Sequence, residues 1–371
     1  MAITVQSLTN LVSQRTATTE RYKLRTRDEL VTCALGTWML AGIYLDGWAH
    51  RNRDLADSIT TPWHGLFYSG YVALTAWIGW IVFRRVREGH RGLDSVPIGY
   101  GVGLLGIAIF TVGGAGDQIW HLSLGVEQDL NAFQSPTHWL LAIGMFLLSS
   151  CSLRAAWSTP GPTEPRLREF APALWSLVLT AGMFFFAFNY MSFFIADAPT
   201  IDNAKFTAAL GPGVDPAFAV GLTEQLRILG LLMISITSIA MIAAILFAQR
   251  RWKLPPGSVT ALFVTVAFAD NVIWEFRVGW VLVAAFVGGV VGDIYIRRYD
   301  PRPSNLVSWR WFPAAVLLPM WLTYYAVLYV GYDMNWPAEM WTGSMIMAVL
   351  HCTLLTFLMR PFDNPVEGGD R

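Results

Sequence analysis

Six residues in the first part of the chain have the types and spacing of metal ligands: Asp46, His50 and His64, then Asp117, His121 and His138. One carboxylate and two imidazoles make a three-ligand set that suits copper, zinc or iron, and the same set describes the non-haem iron triad. Three protein ligands leave positions open for water, dioxygen or a substrate. Both sets begin Asp-x-x-x-His, and on a helix residues four apart share a face, one turn from each other. In both, the second histidine follows a cap-Pro pair, Thr61-Pro62 or Ser135-Pro136. A hydroxyl at the N-cap and proline at the first helical position start a helix and place the histidine within its first turn. Thirteen residues separate the histidines in the first set and sixteen in the second.

The elements that must hold these residues are apolar. The 371 residues are 54% hydrophobic and 14% charged, with 17 Trp and mean hydropathy +0.44. A soluble domain carries about a quarter charged residues. The composition predicts an all-α, polytopic helical membrane protein with the lipid bilayer as a partner. About ten spans are expected, near 30–50, 63–84, 97–121, 136–157, 170–196, 222–249, 258–273, 277–296, 311–332 and 339–360, the seventh being short. The first four form two parallel hairpin repeats. Four parts follow: an N-terminal segment 1–28, the duplicated hairpin pair 29–160, a further bundle of about six helices 161–362, and a tail 363–371. The first 28 residues lack the apolar run of a cleaved signal peptide.

Lys and Arg set the expected orientation. They cluster at Arg15, Arg21, Lys23, Arg25 and Arg27, and then at alternate loops around Arg84, Arg154, Arg250 and Arg297. The positive-inside rule makes both termini cytoplasmic and turns both ligand sets to the extracytoplasmic side. Lys plus Arg equals Asp plus Glu, so charge gives no sign of nucleic acid. Cys33, Cys151 and Cys352 lie in apolar runs without a C-x-x-C pattern and read as core thiols.

The stretch "DGWAH…RD…TPWH…FY" resembles the metal-site hairpin of the C subunit of the copper membrane monooxygenases, the particulate methane and ammonia monooxygenase family. The likeness covers roughly residues 40–145. It implies copper at Asp46, His50 and His64, and a second site at Asp117, His121 and His138. Arg53, Asp54, Thr61, Pro62, Phe67 and Tyr68 extend it around the first site. The family's second site begins with Asn where this chain has Asp117, and its first inter-histidine loop is one residue shorter. The last six spans have no counterpart in that subunit, and the chain lacks a cupredoxin-like domain. The family enzyme has three subunits, which implies further membrane subunits or a homo-oligomer.

Other residues carry weaker signals. Arg53, Asp54, Tyr68, Asp270 and Glu275 are candidates for supporting the ligands. Asp270, Asn271 and Glu275 cluster at the turn between the seventh and eighth spans, which also reads as a solvated turn. His351, deep in the last span, reads as an interhelical hydrogen-bonder. Four functions compete: a copper-dependent monooxygenase or oxidase acting on a small apolar substrate, or its metal-bearing subunit; a copper-binding, delivery or assembly protein without turnover; a b-type cytochrome; and a zinc hydrolase, in which bound water is the nucleophile. Iron remains an alternative metal.

Overall fold

A computed structural model describes residues 22–53, 61–125, 127 and 130–359. Among them the chain is helical and forms no strand. The candidate Asp54, Arg15 and Arg21, and the tail 363–371 lie outside the described residues.

The first hairpin pairs α1 (Thr26–Asn52) with α2 (Pro62–Arg87). Thr61 starts α2 as a side-chain cap, its hydroxyl accepting from the His64 N–H at 3.1 Å, with Pro62 in the first turn. The helices meet backbone to backbone. A Cβ on Gly42 would stand 2.7 Å from the Phe67 Cα, and one on Gly70 would stand 2.7 Å from the Met39 Cα. The second hairpin pairs α3 (Gly101–Leu124), through the short α4 (Leu130–Gln134), with α5 (Pro136–Ser149). A Cβ on Gly113 would lie 2.9 Å from the Leu140 Cβ, and one on Gly144 would lie 2.7 Å from the Phe110 Cβ. Gly42 and Gly113 stand four residues before Asp46 and Asp117; Gly70 and Gly144 stand six residues after His64 and His138. Both hairpins therefore cross at glycines with the same offsets from the ligand residues. An aromatic layer joins them: Phe67, Tyr68 and Tyr71 of α2 pack on Phe110 of α3, with Tyr71 stacked at 3.9 Å.

The expected fourth span is bent. α5 stops at Ser149 and α6 (Cys151–Ser158) continues at 45°. The Ser150 hydroxyl bonds back to Phe146 O at 2.8 Å, a contact that bends helices. Arg154 reaches over the break to Leu147 O at 2.6 Å and to Gly99 O at 3.1 Å. The expected fifth span is shorter than its apolar run. α7 (Leu167–Ala187) gives way to three single 3₁₀ turns, Asn189–Met191, Phe193–Ile195 and Ala198–Thr200. The polar side chains of Asn189 and Ser192 are buried there and take part in tertiary bonds.

The expected external loop after this holds α8 (Asn203–Ala209), capped by Asp202. The next helix, α9 (Pro216–Gln249), starts earlier than its apolar run because Asp215 caps it and Pro216 follows. α10 (Ser258–Ile273) is a 16-residue helix capped from another element. Asp293 of α11 (Val281–Tyr299) accepts from the Val259 N–H at 3.0 Å and the Thr260 N–H at 3.1 Å. The turn between them holds Glu275 and Phe276 at φ 51° and 56°, a region costly for side chains. α12 (Leu306–Gly331) and α13 (Ala338–Leu358) complete the chain.

Among the described residues seven helices are long and apolar enough to cross a membrane, or eight if α5 and α6 count as one broken span. That is fewer than the ten expected. α10 is too short, and every 18-residue window of α11 holds Asp293, Arg297 and Arg298. Two apolar cores divide the bundle. One gathers α1, α2, α3 and α5 with faces of α6, α7 and α10; the other runs from α6 to α13.

Candidate metal centres

Each hairpin brings its three ligand candidates together. Within each trio, one ligand atom from every residue lies within 4.8 Å of the others. In the first, the Asp46 carboxylate is buried, with His64 Nε2 at 3.5 Å from Oδ2 and His50 Nε2 at 3.9 Å from Oδ1. Both imidazoles present Nε2 to the carboxylate. For His64 the reason is local: its Nδ1 lies 2.9 Å from Thr61 Oγ1, so the capping hydroxyl that starts α2 also sets the ring. The His50 and His64 rings meet edge to face at 5.0 Å.

In the second trio, His121 Nε2 lies 3.2 Å from Asp117 Oδ2, and His138 Nε2 lies 3.4 Å from Oδ1. The cap differs. Ser135 makes no cap bond; its hydroxyl pairs with Thr137 Oγ1 at 2.8 Å, and Thr137 donates to Asp117 Oδ1 at 2.8 Å. The expectation of two like caps therefore holds for Thr61 and fails for Ser135. Glu127 adds a second carboxylate, with Oε2 3.5 Å from His121 Nδ1. Glu127 and Thr137 escaped the sequence reading. Thr137 sits between the recognised Pro136 and His138, and Glu127 is an acid in the polar loop after His121.

The donor sets fit a cation. Asp46 Oδ1 is buried and has no hydrogen-bond partner. Buried carboxylate oxygens are costly without a donor or a cation. Ligands bonded at about 2.0–2.2 Å stand a little over 3 Å from each other, close to the spacings present. Tyr68, one turn after His64, lies 3.9 Å from where a Cβ on Gly114 would stand, three residues before Asp117. Tyr68 stacks on the His64 ring at 6.3 Å.

The remaining candidates fall elsewhere. The Arg53 guanidinium lies over Trp48 at 5.1 Å. Glu275 accepts from Trp48 Nε1 at 3.2 Å. Asp270 and Asn271 are wholly buried, which corrects the solvated-turn reading, and Asp270 bonds to Tyr44 and Ser192 rather than to a trio. His351 joins neither cluster, and Cys33, Cys151 and Cys352 are free and buried.

No known protein family matches the chain, and neither a curated protein nor a solved structure matches it.

Proposed function

We propose that this helical membrane protein holds two neighbouring copper centres, one per hairpin, and acts as or within a membrane-bound monooxygenase or oxidase for a small apolar substrate. The observation that carries the metal reading is the pair of Asp/His/His clusters, each built around a buried carboxylate. The motif likeness to the copper membrane monooxygenases and the imidazole-rich donor sets favour copper. Bound copper would supply redox chemistry toward dioxygen at its open positions.

The chain's own residues do the positioning. Asp46 and Asp117 neutralise cationic charge inside the bundle. Thr61 orients His64, and Glu127 stands where a carboxylate orients a ligating imidazole. Ile119, Leu122 and Leu124, beside His121 on α3, and Leu130 of α4 are exposed. An apolar molecule dissolved in lipid would meet the second trio across these side chains. Matching glycine offsets support reading the hairpins as parallel copies of one unit. The basic loops support placing both centres on the extracytoplasmic side. Further membrane subunits or a second copy complete the assembly in this reading.

A copper-holding or delivery role without turnover is the second reading. It is favoured by clustering of the ligand sets in one part of the bundle. Metal analysis with absorption and electron paramagnetic resonance spectra tests the metal. The expected result is a Cu(II) signal and about two metals per chain, with His64→Ala and His138→Ala each losing about one. A Soret band would replace the reading with a b-type cytochrome, and a spectroscopically silent zinc site with a hydrolase. Loss of both metals in either variant would mean one coupled centre, and unchanged metal content would remove these histidines as ligands. Oxygen consumption coupled to oxidation of a small hydrocarbon separates the enzyme from the delivery protein.

A further inference from the structure

A polar cluster shares no residue with either trio. It joins α1, α7, α10 and the 3₁₀ segment after α7. At its centre is Asp270, wholly buried near the end of α10. Ser192 Oγ donates to its Oδ2 at 2.6 Å, and the Tyr44 hydroxyl lies 3.1 Å from its Oδ1. The Asn189 amide lies beside it, its oxygen held by Trp274 Nε1 at 3.2 Å.

The hydrogen count is informative. Ser192 Oγ receives the Phe194 N–H at 3.3 Å and donates its own hydrogen to Asp270 Oδ2. Tyr44 has one hydrogen and two acceptors in reach, Asp270 Oδ1 at 3.1 Å and Gly182 O at 2.9 Å. Gly182 lies inside α7, where its carbonyl already belongs to the helical ladder. Two arrangements satisfy the same atoms. With Asp270 ionised, Tyr44 donates to it. With Asp270 protonated, the acid donates to the Tyr44 oxygen and Tyr44 donates to Gly182 O. In both, the Tyr44 hydroxyl and the Asp270 carboxyl keep partners.

We propose that Asp270 is a proton-binding site inside the bundle, with the Tyr44 hydroxyl turning between two acceptors as the proton comes and goes. One proton from solvent adds to the carboxylate, and Tyr44 keeps its own hydrogen throughout. The physical balance supports exchange. A buried carboxylate whose partners are neutral is costly, which favours the acid. Donors aimed at its oxygens favour the anion. Tyr44 of α1 is the titratable group in contact with it. α7 presents a carbonyl, and the 3₁₀ segment presents a hydroxyl and an amide. Nearby charges are turned to other partners: Glu275 accepts from Trp48, and Arg51 lies over Trp274 at 3.1 Å. The site is separate from the proposed metals, so either reading can fail alone.

Infrared difference spectroscopy on the full-length protein in lipid nanodiscs tests the proposal. Burial pushes the Asp270 carboxyl up to about 7, so the expected result is a protonated-carboxyl carbonyl band near pH 5 that disappears reversibly by about pH 9, about two units to either side of that value. Asp270→Asn should abolish the band with metal content unchanged, and Asp46→Asn should keep it. Tyr44→Phe removes the acceptor of the acid's hydrogen, so the band should move to higher frequency. If Asp270→Asn fails to fold, the band in wild type and its displacement in Tyr44→Phe still decide. Absence of the band, a band unaffected by pH, or a band unmoved by Tyr44→Phe overturns it.

Discussion

The two hairpins present the same three side chains on the same scaffold, yet they surround them differently. In the first, Asp46 is the one carboxylate of the described cluster, its Oδ1 has no donor, and His50 is 43% exposed. In the second, Asp117 receives the Thr137 hydroxyl, Glu127 stands behind His121, and His121 is only 11% exposed. Ligand identity thus sets what can bind, whereas neighbouring side chains set charge and rigidity. Among the described residues the first trio is the more open and holds one carboxylate. The second is more enclosed, carries two carboxylates, and holds its central one by a hydrogen bond.

The largest expected difference follows from charge. Asp46→Asn removes the only carboxylate of its trio, whereas Asp117→Asn leaves Glu127 in place. A unit charge about 4 Å from another is worth about 4 kcal/mol at an effective dielectric near 20, or roughly a thousandfold in affinity. Asp46→Asn should therefore weaken copper binding at its own site about a thousandfold. Asp117→Asn should cost its site about ten- to a hundredfold, as a partial loss of a ligand's support does. Competitive titration against a chelator reads both. Equal losses would mean that Glu127 contributes nothing.

A second comparison concerns the scaffold that the hairpins share. Gly70→Ala and Gly144→Ala each push a methyl to within 2.7 Å of the facing helix. Each should cost about 1–3 kcal/mol through overpacking. Gly79→Ala, on the same α2 but with open space around it, should stabilise by up to about 1 kcal/mol through helix propensity. Unfolding in detergent provides the measurement. A large cost at Gly70 with none at Gly144 would break the equivalence of the crossings.

These crossings show what the amino-acid sequence discloses and what it hides. Asp-x-x-x-His on an apolar run is a local signal, because helix geometry alone puts both residues on one face. The gathering of His64 with Asp46 and His50 followed from a short loop and a legible Thr-Pro start. Long-range partners are another matter. Thr137 reaches Asp117 only because α3 and α5 cross where glycines let them close, a distance that periodicity does not carry. Asp270 looked solvated because polar residues near the end of an apolar run are usually wet. Its burial comes from the segment of 3₁₀ turns after α7, which hydropathy presented as continuous span. The bend at Ser150 was hidden likewise, since Arg154 crosses it from a helix that reads as apolar throughout.

The caps give a smaller, local contrast. Thr61 bonds both the His64 N–H and the His64 ring, whereas Ser135 bonds only Thr137. Thr61→Val should cost about 1 kcal/mol of stability through the lost cap. It should also weaken the first site about tenfold, because an unanchored ring loses its tautomer preference. Ser135→Ala removes a buried hydroxyl whose one side-chain partner is Thr137, and should cost about 0.5 kcal/mol, the low end for a neutral hydrogen bond, with little change at the second site. A larger effect of Ser135→Ala than of Thr61→Val on either quantity would reverse the assignment of the two hydroxyls.

The smallest expected effect isolates Glu127. Metal and protons compete for the imidazoles, so acid should strip both centres. A carboxylate accepting from the far nitrogen of a ligating histidine raises its basicity and fixes its orientation, and losing such a partner costs about tenfold or more. With about two imidazole protons gained per metal released, affinity falls about a hundredfold per pH unit, so a tenfold advantage equals about half a unit. The second centre should then release its metal about half a pH unit below the first. Glu127→Gln keeps an oxygen acceptor but removes the charge. It should erase that gap while leaving the first centre unmoved. Stopped titrations with spectra of each single-site variant read the two midpoints separately. A gap that survives Glu127→Gln would assign the difference to Thr137 and the closer enclosure of His121 instead.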